Sequence, residues 1–312
     1  FLLCFKEKWA IIFDMKKQAV KNLTIFIVLL ALIAGAFSCG FFTNDVAYAA
    51  VLPDAGSNQW FDGEDYNDFN GTLQTINKII PTAEKADFKS NPVLVAVIDT
   101  GINASHELFD GVLCDEGLWY NAIKNERGRD YINDTCNNGR LVGHGTHVAG
   151  IVAQEIKKYG LEDYIKILPV KAGDSNGRFD SVVLVDAIKY VRDLATQNKT
   201  IVINMSLTNM IRSSDASSWN KNGAIDVMIQ SAVREGVIVC AAAGNESKNS
   251  ASSGYSLGSP ACLENVIGVM NYGEGLIPAP KSNYGTAYDI AAPGQNIISA
   301  AKSGETEQEC TK

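Results

Sequence analysis

The chain has 312 residues, 46% apolar and 20% charged, with 35 acidic against 27 basic residues and a formal net charge of −8. These values describe an ordinary globular chain, long enough for one large α/β domain or two small ones, and they exclude bulk disorder. No basic block stands out, so nucleic-acid binding has no electrostatic footprint, and the acidic balance mainly favours solubility.

Residue 1 is Phe, and residues 1–14 are read as upstream, non-native sequence before a start at Met15. Lys16, Lys17 and Lys21 precede the fifteen-residue apolar stretch Leu23 to Phe37, and Ala47-Tyr48-Ala49 follows as a small-residue cleavage site. A basic start, a short apolar run and an A-x-A site describe a secretory signal peptide over 15–49. The run falls short of the roughly twenty residues that a membrane-spanning helix needs. Secretion is therefore expected, with no membrane contact after cleavage; a lipid anchor at Cys39 is the alternative. Residues 50–90 are polar, with Asp, Asn and Gly clusters, and read as a mature N-terminal arm or short pro-segment.

From Val93 the pattern changes. "VLVAVIDTG" is an unbroken apolar run that ends at Asp99 and a Thr-Gly turn, which suits a strand buried on both faces. Ile165 to Val170, Ile201 to Met205, Val237 to Ala242 and Val266 to Met270 are similar runs. Between them lie helical periods over Val148 to Ile156, Val182 to Leu194 and Ile225 to Val233. Buried strands alternating with helices predict an α/β fold: a three-layer arrangement of a mostly parallel sheet with helices on both faces. Ligands then bind beyond the carboxyl ends of the strands. Neither an internal repeat nor a low-complexity linker follows residue 90, so 91–312 is read as one domain.

Seven cysteines fit export. Cys114 and Cys136 flank a polar loop and are candidates to pair; Cys240 ends an apolar strand and is expected to be a buried thiol. The absence of C-x-x-C spacing argues against a cysteine-built zinc site.

Three segments carry candidate chemistry. Asp99 lies at a strand end, where it either caps the following turn or works in a site. "LVGHGTHVAG", Leu141 to Gly150, holds two of the three histidines. At a helix N-terminus the dipole disfavours the imidazolium of His144, and a neutral imidazole is what a general base requires. His147 lies one turn on. A metal site built on the pair would lack both the H-E-x-x-H pattern and an obvious third ligand. His106 is expected to be a surface or loop histidine. In "VCAAAGNES", Val239 to Ser247, a strand runs through small residues to Asn245. Its amide is either a turn former or a donor to a developing oxyanion.

"VIDTGI" (Val97–Ile102), "GHGTHVAG" (Gly143–Gly150) and "AAAGNES" (Ala241–Ser247) together resemble the subtilisin-like serine proteases, the subtilases. "INMSL" (Ile203–Leu207), "SPACLENVIGV" (Ser259–Val269), "SNYG" (Ser282–Gly285) and "APG" (Ala292–Gly294) support the likeness, which runs from about Val93 to Gly294. The resemblance implies that Asp99 orients His144, that His144 is the base toward a serine, and that Asn245 donates to the oxyanion. It implies an extended polypeptide substrate lying along Ser206, Leu207 and Thr208 and against Ala241, Ala242, Ala243 and Gly244, and it leaves His147 structural. No cofactor is required for such chemistry, and a monomer is expected. Thr208 stands where the family has glycine and is expected to narrow a pocket wall. The stretch Gly150 to Ile167 is short where many members carry a calcium loop, so structural calcium has no support there.

No Gly-Thr-Ser occurs in the chain. Ser206 lies on the substrate strand and Ser247 to Ser253 in a Ser/Asn-rich loop, so neither fits a nucleophile. The expectation is a secreted serine endopeptidase whose nucleophile lies beyond Lys312, the C-terminal part of the domain being missing and the fragment inactive. The alternatives are a catalytically inactive peptide-binding protein on the same scaffold, and a metal-dependent hydrolase using His144 and His147.

Overall fold

The computed structural model describes residues 88–136, 143–212, 223–250, 256–272, 279–294, 297–300 and 308–310. The signal segment, Cys39 and all but the last three residues of the polar arm lie outside them.

Val93–Asp99 forms strand β1, and all seven residues are buried. A short hairpin follows, β2 (Tyr120–Asn121) and β3 (Glu126–Arg127). Helix α1 spans His144–Lys158, β4 Ile165–Lys171, α2 Ser181–Ala195 and β5 Ile201–Met205. Then come β6 (Asn209–Arg212), α3 (Ala224–Arg234), β7 (Ile238–Ala242), β8 (Ser256–Ser259) and β9 (Ile267–Tyr272). The last elements are β10 (Ile290–Pro293), β11 (Ile297–Ser299) and β12 (Gln308–Cys310).

Eight strands make one sheet in the order β10-β9-β7-β5-β1-β4-β2-β3. Every neighbouring pair is parallel except the β2–β3 hairpin. The five apolar runs are therefore five of its strands. The hairpin was not legible because two-residue strands carry no period, and β10 was not predicted either. β6 pairs with β8, and β11 with β12, as separate antiparallel ribbons.

The order of the strands fixes where a site can form. From β1 the chain moves past the later position of β4 to the β2–β3 hairpin at one edge, returns through α1 to β4, and then steps through α2 and α3 to β5 and β7 toward the other edge. Arg192 of α2 reaches Ser231 of α3 at 3.3 Å, so these two helices pack side by side, while Gln154 of α1 reaches the Ile298 carbonyl of β11 at 3.3 Å. The chain leaves β1 toward one edge of the sheet and β5 toward the other, so a crevice opens between their carboxyl ends. Asp99 ends β1, and Ser206 follows β5.

Local chemistry explains the helices. Asp180 caps α2 by accepting from Val182 N at 2.8 Å. Leu184, Ala187, Ile188, Val191 and Leu194 repeat at three- and four-residue intervals and form its buried face. In α1 all ten residues from His144 to Ala153 are buried. This helix is enclosed on two sides, by the sheet and by β11, and Lys157 and Lys158 in its last turn complement its negative end.

Cys114 and Cys136, the candidates to pair, are both buried and form no disulfide. Cys114 N is fixed against Ile167 O at 3.0 Å, and Cys136 N against the Asp134 carboxylate at 3.1 Å. Each cysteine is thereby held to a different part of the fold. Burial pushes the Cys114 thiol up to about 12, which keeps it protonated and inert. Cys240 is a fully buried thiol, as expected.

Candidate active site

His144 opens α1, and its Nδ1 lies 2.7 Å from Asp99 Oδ1. A carboxylate can only accept, so Nδ1 carries the proton and Nε2 of the neutral ring is left as the basic nitrogen. The same Asp99 oxygen accepts from Thr100 N at 2.7 Å. Asp99 is 1% exposed and His144 7%.

Gly145 makes this approach possible. A Cβ there would fall 2.3 Å from Gly101 O and 3.1 Å from the Asp99 Cβ. Any larger residue would hold α1 away from the turn after β1. Gly143, the helix N-cap, sits in the left-handed region at φ 64° and offers no side chain to the free amides. They are capped from elsewhere in the fold: Gly145 N donates to Thr100 Oγ1 at 2.9 Å and Thr146 N to Asp134 Oδ2 at 2.9 Å.

Burial disfavours the imidazolium of His144. The Asp99 charge and hydrogen bond, with the charge of Asp134, outweigh that cost and hold the pKa above the ordinary histidine value. The helix-dipole effect expected from sequence points the other way and is overcome by the two carboxylates. Lys171, the register partner of Asp99 on β4, is also buried. Its ammonium donates to Thr100 O and, at 3.1 Å, to Thr135 Oγ1. Burial pushes its pKa down against the pull of Asp134, Cys136, Asp99 and Asp174.

Two strands away, Asn245 follows β7 in a bend. Its loop is anchored by Asn283, which is fully buried. The Asn283 side-chain oxygen accepts from Glu246 N at 3.1 Å and Lys248 N at 2.9 Å, and its amide donates to Ala243 O at 2.9 Å. The Asn283 backbone N–H donates to Gly244 O at 2.8 Å.

A subtilase family profile (Peptidase S8) matches residues 90–312. The chain belongs to the subtilase family. Among curated subtilases and related proteases, alkaline protease 1 of Emericella nidulans is 34% identical over 65% of this chain and 43% of its own length. A thermophilic serine proteinase of a Bacillus species is 34% identical over 66% and 44%, and subtilisin-like protease 1 of Trichophyton rubrum 31% identical over 75% and 42%. The chain thus spans less than half the length of these relatives. A crystal structure of a cold-adapted subtilisin-like serine proteinase matches 72% of this chain and 70% of its own, at a TM-score of 0.53 and 26% identity.

In this subtilase Asp99 and His144 are brought together, and Asn245 and Ser206 stand at the same carboxyl edge of the sheet, after β7 and β5. Ser206, Leu207, Ala241, Ala242 and Ala243 are buried. Thr208 is partly buried; its hydroxyl donates to Ala242 O at 2.8 Å. Its γ-methyl lies 2.8 Å from where a Cβ on Gly244 would fall and 3.0 Å from one on Gly258.

His147 is not turned toward Asp99. Its Nε2 faces the Ile297 carbonyl at 3.2 Å, so that nitrogen carries a proton. Among the described residues no three His, Cys, Asp or Glu side chains cluster to hold a metal. His106 is in a loop but buried, 6% exposed; its Nδ1 accepts from Leu108 N at 3.2 Å and caps a short turn. The surface alternative for it is thus corrected. Asp134, Thr100 and Asn283 had no role in the sequence reading. Thr100 and Asn283 stand inside the quoted "VIDTGI" and "SNYG", whereas Asp134 lies in no quoted motif.

Proposed function

We propose that the complete protein is a secreted serine endopeptidase, with Asp99 and His144 as two members of its triad and Asn245 as oxyanion donor. The observation that carries this reading is the buried 2.7 Å pair of His144 Nδ1 and Asp99 Oδ1 at the crevice beside β1. With Nδ1 fixed toward Asp99, Nε2 is the nitrogen that accepts the serine proton and later returns it to the leaving amine. Asp99 stabilises the imidazolium between those two transfers. The order of these steps is the family's. No residue of these 312 is assigned as the nucleophile; on this reading it is supplied from beyond them, and the 312-residue chain alone is inactive.

The substrate is an extended polypeptide. Because Ser206, Leu207 and Ala241 to Ala243 bury their side chains, a peptide would meet their backbone, with Thr208 and Gly244 shaping the nearest side-chain pocket. The chemistry is carried by side chains, without a cofactor; calcium is not assigned. Secretion rests on the signal-like residues 15–49, with Cys39 as the alternative anchor, and a monomeric state is proposed.

Peptide hydrolysis by the protein from its complete gene tests the reading. Asn245→Ala should lower turnover by roughly 10²- to 10³-fold, the magnitude known for loss of such a donor in this family, with folding little changed. An unchanged turnover would make Asn245 a turn residue only. Peptide binding with no hydrolysis at all would favour the inactive peptide-binding alternative.

A further inference from the structure

Asp134 is 6% exposed, lies ten residues before His144 in sequence and touches neither His144 nor Asp99 directly, yet its carboxylate joins the elements that carry them. Oδ1 accepts from Thr100 Oγ1 at 3.0 Å and from Cys136 N at 3.1 Å. Oδ2 accepts from Thr146 N at 2.9 Å and Thr146 Oγ1 at 2.8 Å. Thr100 is the residue after Asp99 and donates its own N–H to the Asp99 carboxylate; its hydroxyl also accepts from Gly145 N. Thr146 Oγ1 in turn accepts from Asn103 N at 3.0 Å. The turn after β1 and the first turn of α1 are therefore tied together through one buried side chain.

We propose that Asp134 is a positioning residue for the Asp99–His144 pair, clamping the turn after Asp99 to the helix N-terminus that presents His144. The proposal rests on the reading of that pair as the working acid–base couple. A buried carboxylate accepting four hydrogen bonds resists displacement, because moving it strands several buried donors at once. The N-cap Gly143 makes no side-chain cap, so the position of this helix end depends on Thr100 and Asp134. The ionisable groups around the clamp are Asp99 on β1, Cys136 beside Asp134, and Lys171 and Asp174 on and after β4. Of these, Lys171 is the cation that offsets the two carboxylates.

The test is imidazole NMR on the full protein labelled with 15N-histidine, with the His144 signal assigned by its loss in His144→Gln. Asp134→Asn keeps the side chain's size but removes its charge; the His144 midpoint should fall by roughly half a pH unit or more. Asp134→Ala removes the clamp, and its Nδ1 proton should exchange with solvent faster than in the wild type. Asp99→Asn separates the two claims: loss of the low-field Nδ1 proton there supports the pair, whatever Asp134 does. An unmoved midpoint in Asp134→Asn together with unchanged exchange in Asp134→Ala would overturn the clamp. If neither Asp134 variant folds, Thr100→Val decides, since it cuts the link to the Asp99 turn but leaves Thr146 capped. Faster Nδ1 exchange in that variant supports the clamp, and wild-type exchange overturns it.

Discussion

Ser299 donates its hydroxyl to the carbonyl of His147 at 2.7 Å, so β11 is fastened to the same helix turn that follows His144. The contact is close because Gly150 has no side chain. A Cβ there would fall 2.3 Å from Ser299 Oγ and 2.7 Å from the Ala300 Cβ. Gly150→Ala should gain about 1 kcal/mol of helix propensity and lose about 1–3 kcal/mol to overpacking. The expected net result is a lower melting temperature, measured by circular dichroism. A raised one would show that β11 yields freely.

Asn283 anchors the loop that carries Asn245. Asn283→Ala would remove the acceptor of the partly buried N–H groups of Glu246 and Lys248 and strand the buried Ala243 carbonyl. A loss of about 2–4 kcal/mol in denaturant unfolding is expected. A loss below about 1 kcal/mol would mean that the loop is held by other contacts.

Thr208 pinches the space between Gly244 and Gly258. In the protein from its complete gene, Thr208→Gly should raise kcat/KM for a large aromatic residue before the scissile bond relative to alanine. The ratio should change by about tenfold, the scale of a methyl-sized change in an apolar pocket. An unmoved ratio would place Thr208 outside the specificity pocket.

The raised pKa of His144 has a defined sign in stability. The imidazolium–Asp99 interaction contributes fully below the unfolded-state value of about 6.5 and is lost as pH rises through the higher folded-state value. Wild type should therefore exceed Asp99→Asn in stability most clearly near pH 5.5 to 6, with the gap shrinking toward pH 9, as chemical unfolding at both ends would show. A gap that widened with pH would contradict the assignment.

What could be read from sequence followed from how each signal arises. β1, β4, β5 and β7 are buried at nearly every position and β9 at half of them, so their apolar runs are continuous and visible. α1, α2 and α3 showed through their period. Asp99 and His144 were legible because a strand end and a glycine-rich helix start leave local marks. Asp134 left none: it sits in the polar run Asn133 to Asn138, and its importance comes from Thr100 and Thr146, which lie 34 residues before it and 12 after. The hydrogen bond that fixes the His144 ring is likewise long-range, across 45 residues. The missing Cys114–Cys136 bridge shows the converse, since flanking one loop in sequence says nothing of how two thiols are directed.

The most direct measurement of the central claim is labelling of the protein from its complete gene with a serine-directed phosphonate, read by mass spectrometry. The proposed function predicts one modified serine, none among residues 1–312, and labelling slowed by several orders of magnitude in His144→Ala. Labelling that proceeds at the wild-type rate without His144, or an adduct on a serine within these 312 residues, would contradict it.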